Sequence, residues 1–324
     1  MTNDYQLFLT FVTIMKVHRE LVGSLPKFRN AVVTIGTFDG VHKGHQQIIA
    51  QLKEEAKKIN GETVIITFHP HPRKIVSSIP GDIKLLSTLT EKIKLLKKAG
   101  IDHLVVIPFD HTFANQSAED YITNFLYHYF KPATVIIGYD HRFGKGRSGD
   151  YHLLEQYGTK LGFAVKEISE ELLNEIVISS TKIRQSLLAT NIKTANQYLG
   201  YPYFFDGVVI EGNKMGRTIG YPTANLHIAN EEKLIPANGV YAVEIILKNG
   251  IPLKGMMNIG IRPTIDGKKR VIEVHIFNFD ADIYTESLEI MIHHYLRGEV
   301  KFNGLEELKT QLHLDKQQAM ALLQ

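Results

Sequence analysis

A β-branched run, Ala31-Val-Val-Thr-Ile35, enters a glycine-punctuated turn, Gly36-Thr-Phe-Asp-Gly-Val-His-Lys-Gly-His45, and an amphipathic helix pattern leaves it. Strand, Gly-rich turn and helix in that order make an anion site, because the first backbone N–H groups of a helix have no partner inside it. His42 and His45 stand three apart at the helix start. That spacing puts both imidazoles on one side of the first turn. A lone histidine is usually structural. Two of them behind such a turn point to chemistry on a nucleotide, where polarised groups stabilise charge at the α-phosphate as pyrophosphate leaves. Lys43 between them reads as solvated.

The same alternation continues through the first half. Strand candidates are 31–36, 63–68, 103–107, 133–138 and 163–167. Ile48, Ile49, Leu52, Ala56 and Ile59 recur at helical spacing before Asn60-Gly61, and Ile93, Leu95, Leu96 and Ala99 lead to Gly100. Ser117 with Asp120 three later marks a helix start that runs to about Phe130. Repeated βα units imply a parallel sheet covered by helices. Ligands of such sheets bind at the carboxyl ends of the strands. Three Gly- or Pro-marked runs lie there: 36–45, 68–72 and 138–149.

After about residue 200 the pattern changes to strands without helices between them: 203–210, 239–247, 253–259, 271–279 and 287–294. Asn249-Gly250 and Asp266-Gly267 are hairpin signals. This half reads as an antiparallel barrel or sandwich, closed by a helix over about 305–323. The segment 186–200 reads as the joint.

Bulk composition narrows the partners. The 324 residues suffice for roughly two domains. The formal net charge is +3 with no Lys/Arg block, which does not call for a nucleic-acid partner. There is no cysteine, so disulfide, thiolate and zinc–thiolate chemistry are excluded. The apolar stretch Tyr5 to Met15 is far shorter than the roughly 20 residues of a membrane span. It also lacks the features of a signal peptide. Met15 is an alternative start, with residues 1–14 as an upstream extension.

Four further runs carry possible chemistry. Ser179-Ser180-Thr181-Lys182-x-Arg184 is either a helix cap or a phosphate clamp. Phe68-His-Pro-His-Pro72 is either a rigid turn or the border of a second substrate. Gly138 to Gly149, with Asp140, Arg142, Lys145 and Arg147, is either a basic loop or a lid over phosphates. Gly216-Arg-Thr-Ile-Gly-Tyr-Pro-Thr-Ala-Asn225 lacks the terminal Gly-Lys-Ser/Thr of a Walker A loop. Its Thr223 and Asn225 offer hard oxygens suited to Mg²⁺, which takes few protein ligands. Glu273 and His275 share one face of the alternating run Val271 to Ile276. A carboxylate directed into a barrel is costly unless it is paired or works, for example as general base for a hydroxyl.

Together these runs resemble the bacterial bifunctional riboflavin kinase/FAD synthetases, over nearly the whole chain from about Met15, in family order and spacing. The resemblance implies a Rossmann-like nucleotidyltransferase domain over 15–187 and a β-barrel riboflavin kinase domain over 188–324. It implies that the barrel phosphorylates riboflavin with MgATP to FMN, and that the first domain adenylylates FMN with ATP to give FAD and pyrophosphate. It assigns Gly36, Phe38, His42, His45, Ser180, Thr181 and Arg184 to the adenylyl donor. Pro70, His71, Pro72, Asp140 and Arg142 fall to the flavin of that site. In the kinase it assigns Gly216, Arg217, Gly220, Pro222, Thr223 and Asn225 to ATP, with Mg²⁺ on Thr223 and Asn225. Glu273 becomes the base for the ribityl hydroxyl. Such a protein is expected to be cytoplasmic, bound to neither membrane nor nucleic acid, and a monomer or weak homo-oligomer.

Three positions depart from the family pattern. His141 replaces an aromatic residue, Asn278 a common Asp, and Tyr284-Thr285 a usual Tyr-Gly pair. Two rival readings are an adenylyltransferase whose barrel only binds flavin, and a flavin-sensing protein without turnover. Glu273 and Asn225 argue against the first, and the weak net charge without an RNA-binding motif argues against the second.

Overall fold

The computed structural model describes residues 14–20, 25–76, 83–168, 178–212, 215–264 and 267–324, with the side chains of 215, 263, 264 and 267–269 also left out. The run Ile176-Val177, Asp266 and residues 1–13 therefore lie outside the described residues. Two compact units emerge. One gathers described residues within Met1–Ile83 and Leu89–Val177, the other those within Lys84–Thr88 and Ile178–Gln324.

The first unit is a six-stranded parallel sheet: β1 (Lys16–His18), β2 (Val32–Ile35), β3 (Thr63–His69), β4 (His103–Pro108), β5 (Thr134–Gly138) and β6 (Ala164–Ile168). Their order is β1-β4-β3-β2-β5-β6. The expected α/β architecture is present, with one added edge strand, β1, whose three residues carry no readable alternation. The inner strands are apolar on both faces because helices cover both. Ala31, Val33, Ile35, Val64 and Ile66 join one core with Phe125 and Phe130. Val32, Ile65, Leu104 and Ile136 join another with Leu52 of α1 (Lys43–Lys58) and Leu96 of α2 (Leu89–Lys98). Strand order reverses between β2 and β5, so the crevice between their carboxyl ends is the favoured ligand position.

Local chemistry sets the helix ends. Ser117 Oγ accepts from the Asp120 N–H at 3.0 Å, opening a helical stretch over 118–130 that includes a π-helical segment, Tyr121–Tyr127. Asp150 caps α3 (Tyr151–Leu161) by accepting from the Leu153 N–H at 3.0 Å. Such a cap contributes about 1 kcal/mol. Gly162 closes α3 at φ 83°, a left-handed position suited to glycine.

The second unit is a closed antiparallel barrel: β7 (Tyr203–Ile210), β8 (Ala224–His227), β9 (Gly239–Ile246), β10 (Pro252–Thr264), β11 (Gly267–Ile276) and β12 (Ser287–Arg297). The closed order is β10-β11-β8-β7-β12-β9. Tyr203, Phe205, Tyr241, Val243, Met257, Val274 and Ile290 fill it. Closure removes the unpaired edges an open sheet would expose. The C-terminal helix is α6 (Leu305–Leu322). The stretch read as a joint holds α4 (Ser180–Leu188) and α5 (Ile192–Leu199). Asn196 on α5 ties to the barrel: its Nδ2 donates to the Ile292 carbonyl and its Oδ1 accepts from the Tyr203 N–H, both at 2.8 Å. Residues 84–88 join this unit through Lys233, whose Nζ donates to the Leu86 carbonyl at 2.7 Å.

Candidate active sites

In the first unit, Gly36 to His45 leaves the carboxyl end of β2 and opens α1. The turn is tightly wound: Phe38 has φ 47°, Gly40 φ 76° and Val41 φ 37°. Only Gly40 tolerates such a backbone without side-chain cost. The His42 and His45 rings stack with centroids 3.8 Å apart, and Phe38 packs 4.9 Å from His45. Gly44 lets the rings lie there, since a Cβ at that position would press 3.3 Å from the His42 ring. Burial, then the neighbouring His42 and Lys92, hold the His45 imidazole well below its usual pKa, so it is neutral at pH 7. Its buried Nδ1 has no hydrogen-bond partner among the described residues. A stacked imidazole pair, its His45 member neutral, beside the open amides of a helix start can receive a phosphate.

The other two turns leave the strands that flank β2. After β3, the His69–Pro70 peptide is cis, the His71 Nδ1 accepts from the Arg73 N–H at 3.2 Å, and Pro72 opens a short helix, Pro72–Val76. Phe68 packs against Phe109 and Phe113. After β5, Phe143 and Gly149 pair across the 138–149 loop, and Lys145 N–H donates to the Gln116 carbonyl at 2.7 Å. Asp140 and Arg142 are exposed. His141 is half-buried beside Phe143, and desolvation outweighs Asp140 to bring its imidazole down to about 4. Gly36, Phe38, His42, His45, Pro70, His71, Pro72, Asp140 and Arg142 thus belong to turns at the carboxyl ends of three adjacent strands.

Ser180, Thr181 and Arg184 lie on α4, within the second compact unit. Ser179 caps that helix, accepting from the Lys182 N–H at 3.3 Å, and Arg184 Nε donates to the Lys84 carbonyl at 2.7 Å.

The barrel carries a separate cleft of about 260 Å³. Gly216, Thr223, Met256, Asn258, Arg262, Glu273 and His275 line it, together with Leu308 and Leu312 of α6. Glu273 pairs in register with Asn225 on β8 and Asn258 on β10, so the three side chains share one face of the sheet. Arg262 Nη2 lies 2.9 Å from both carboxylate oxygens of Glu273. His275 Nδ1 meets the Pro222 carbonyl at 2.7 Å, and burial lowers its pKa. That contact fixes the end of the 216–225 loop. Arg217 reaches Tyr284 at 3.4 Å, and Gly220 has φ 81°.

A hard divalent cation fits Thr223 and Asn225 chemically. Among the described residues no group of three or more His, Asp or Glu could hold a metal, so a cation here depends on few protein ligands, as Mg²⁺ does. Gly212 leaves Asn225 its room: a Cβ on it would fall 2.0 Å from Asn225 Nδ2.

Several of these groups carry little mark in the sequence pattern alone. Lys92 and Asp39 are buried at the first site. Lys92 repeats the inward spacing of Leu89, Ile93 and Leu96, which was its available signal. In the barrel, Asn258 and Arg262 share one face of β10 with Met256 and Gly260, at period two. Arg297 and Asp315 come together only through folding, bonded at 2.8 and 2.6 Å.

Comparison with known proteins matches the same two halves. The FAD synthetase family model covers residues 25–182 and the riboflavin kinase model residues 199–323. A bifunctional riboflavin kinase/FMN adenylyltransferase of Haemophilus influenzae is 37% identical over 307 residues, 95% of this chain and 99% of that one. One of Buchnera aphidicola subsp. Schizaphis graminum is 41% identical, covering 88% of this chain and 92% of that one. A crystal structure described as a macrolide-efflux protein from Streptococcus pneumoniae superposes with TM-score 0.83 at 30% identity, covering 93% of this chain and 97% of that one. No described helix of this chain is long and apolar enough to cross a membrane. With relatives of this similarity matched nearly end to end, the chain belongs to the bifunctional riboflavin kinase/FMN adenylyltransferase family.

Proposed function

We propose that this chain makes FAD from riboflavin in two ATP-dependent steps at two separate sites. One observation carries the reading: a stacked histidine pair at a helix start in one unit, and a carboxylate lining a cleft in the other, each where phosphate chemistry needs it. In the barrel, riboflavin's ribityl hydroxyl loses its proton to Glu273 and attacks the γ-phosphorus of ATP, giving FMN and ADP. Thr223 and Asn225 hold the nucleotide's Mg²⁺, with Gly216, Arg217, Gly220 and Pro222 shaping the loop around the phosphates. The cation, when bound, neutralises charge on the transferring phosphoryl group.

In the parallel-sheet unit, an FMN phosphate oxygen attacks the α-phosphorus of a second ATP and pyrophosphate leaves. His42 and His45 stabilise the charge that develops there. Gly36 and Phe38 shape the turn. Pro70, His71, Pro72, Asp140 and Arg142 border the flavin, while Ser180, Thr181 and Arg184, on α4 of the other compact unit, are assigned to ATP by the family resemblance alone. By the family bounds the adenylyltransferase takes 15–187 and the kinase 188–324, with 84–88 and α4 packed in the barrel's compact unit. Both steps proceed by positioning and charge stabilisation, without a covalent enzyme intermediate. ATP consumption at both sites supports a cytoplasmic setting, and nothing in the chemistry requires more than one copy of the chain.

The test is direct. Purified protein is incubated with riboflavin, ATP and Mg²⁺, and the flavins are resolved by chromatography. FMN followed by FAD supports the reading. FAD formed only from added FMN restricts the chain to the second step, and no conversion of either flavin refutes it.

A further inference from the structure

Lys92 is only 6% exposed, on a helix that also buries Glu91 and Leu96. Burying an ammonium costs several kcal/mol unless it is paired and hydrogen-bonded. A leucine would serve packing alone. The surroundings of Lys92 tie it to the phosphate turn. Its Nζ donates to Thr67 Oγ1 at 3.3 Å, and Thr67 Oγ1 donates to the Thr37 carbonyl at 3.1 Å. Thr37 sits between Gly36 and Phe38, where the turn leaves β2. Asp39, 2% exposed in the same turn, is the carboxylate opposing the Lys92 charge. His45 feels that charge as well.

We propose that Lys92 is a positioning residue for adenylyl transfer, holding the turn through Thr67 and setting the electrostatic field around His45. This rests on the adenylyltransferase reading above and deepens it. The chain Lys92–Thr67–Thr37 fixes the turn on which the α-phosphate must be placed, and such placement governs the rate more than the affinity. The charge itself acts on the imidazole. Burial lowers the Lys92 ammonium to about 8, so it remains largely protonated at pH 7. A nearby cation then helps His42 and burial to keep His45 neutral.

The test uses full-length Lys92→Met and Lys92→Arg. FMN formation from riboflavin, made by the other unit, serves as a control within the same chain. In Lys92→Met, kcat for FAD formation is expected to fall about a hundredfold with KM for ATP changed less than about threefold, while FMN formation is unchanged. His45, followed by NMR of histidine-labelled protein, should titrate at higher pH than in the wild type, because a neighbouring positive charge is gone. Lys92→Arg should keep kcat within about tenfold of wild type. Unchanged kcat in Lys92→Met, or an unmoved His45 titration in folded protein, overturns the proposal. If Lys92→Met does not fold, Thr67→Val breaks the link and leaves the cation. A fall in kcat of about tenfold without a His45 shift then supports the proposal, and an unchanged kcat overturns it. If wild-type protein makes no FAD from FMN, the adenylyltransferase reading fails. The His45 titration in Lys92→Met still decides the electrostatic role.

Discussion

A single guanidinium nitrogen of Arg262 lies 2.9 Å from both carboxylate oxygens of Glu273, across the hairpin of β10 and β11. The Arg262 side chain is 46% exposed. A pair of that exposure contributes only about 0–1 kcal/mol to stability. Its larger consequence is orientation, because it sets where the Glu273 carboxylate points inside the cleft. Arg262→Met is therefore expected to lower riboflavin phosphorylation by about tenfold to a hundredfold, leave FAD formation from FMN unchanged, and barely move the thermal midpoint. Steady-state assays of both steps on one preparation check this.

Asp315 is 1% exposed and receives two hydrogen bonds from Arg297, from Nε at 2.8 Å and Nη2 at 2.6 Å. Gln311 adds a third at 2.9 Å. Asp315 lies on α6 and both partners of the ion pair line the barrel cleft. Removing one member of a buried pair typically costs about 3–5 kcal/mol. Asp315→Ala should lower the kinase unit's unfolding midpoint and raise KM for riboflavin, as read by thermal denaturation and initial rates.

Thr285 has φ 65°, and its N–H donates to the Val209 carbonyl at 3.0 Å. A β-branched residue in the left-handed region is strained by about 1–2 kcal/mol. Glycine removes that cost but loses more chain entropy on folding, about 0.5–1 kcal/mol. Thr285→Gly is expected to stabilise the barrel by about 1 kcal/mol, measured by denaturant unfolding.

His141 titrates at about 4 in the folded protein, against about 6.5 when exposed. Between those values the unfolded chain binds the extra proton and the folded one does not. Stability is therefore fully present above pH 6.5 and falls as pH drops toward 4, by up to roughly 3 kcal/mol from this group. His45 and His103 are shifted the same way by burial. His141→Phe should flatten the loss of stability between pH 6.5 and 4 without abolishing it. Urea unfolding at a series of pH values measures the slope.

Much of this arrangement is legible in the sequence, and the missing parts share a cause. Gly36 to His45 announces strand, turn and helix because each local signal agrees with the fold. The continuous apolar runs 63–68 and 133–138 read as strands buried on both faces. By contrast, β8 hides inside a Gly- and Pro-rich run whose turn signals outweigh four strand residues. Residues 84–88 join the second unit through Lys233, a partner more than a hundred positions away that no local pattern reveals. Of the candidate groups, His42, His45 and Glu273 stood out because their residue types are unusual in their settings. Lys92 did not, because a lysine in a helix is ordinarily solvated, and only its position on the inward face separates it from Lys94 or Lys97. Arg262 escaped because its meaning lies in a cross-strand contact with Glu273.

If one chain runs two reactions at two independent sites, a crossed pair of variants separates them most directly. His45→Ala and Glu273→Gln are each given riboflavin with MgATP, and separately FMN with MgATP, and the flavins are resolved by chromatography. His45→Ala is expected to accumulate FMN with little or no FAD. Glu273→Gln is expected to leave riboflavin largely unconverted, with phosphorylation lowered about 10²- to 10⁴-fold, yet to make FAD from FMN at the wild-type rate. Loss of both activities in either variant, with circular dichroism showing an intact fold, would contradict that independence.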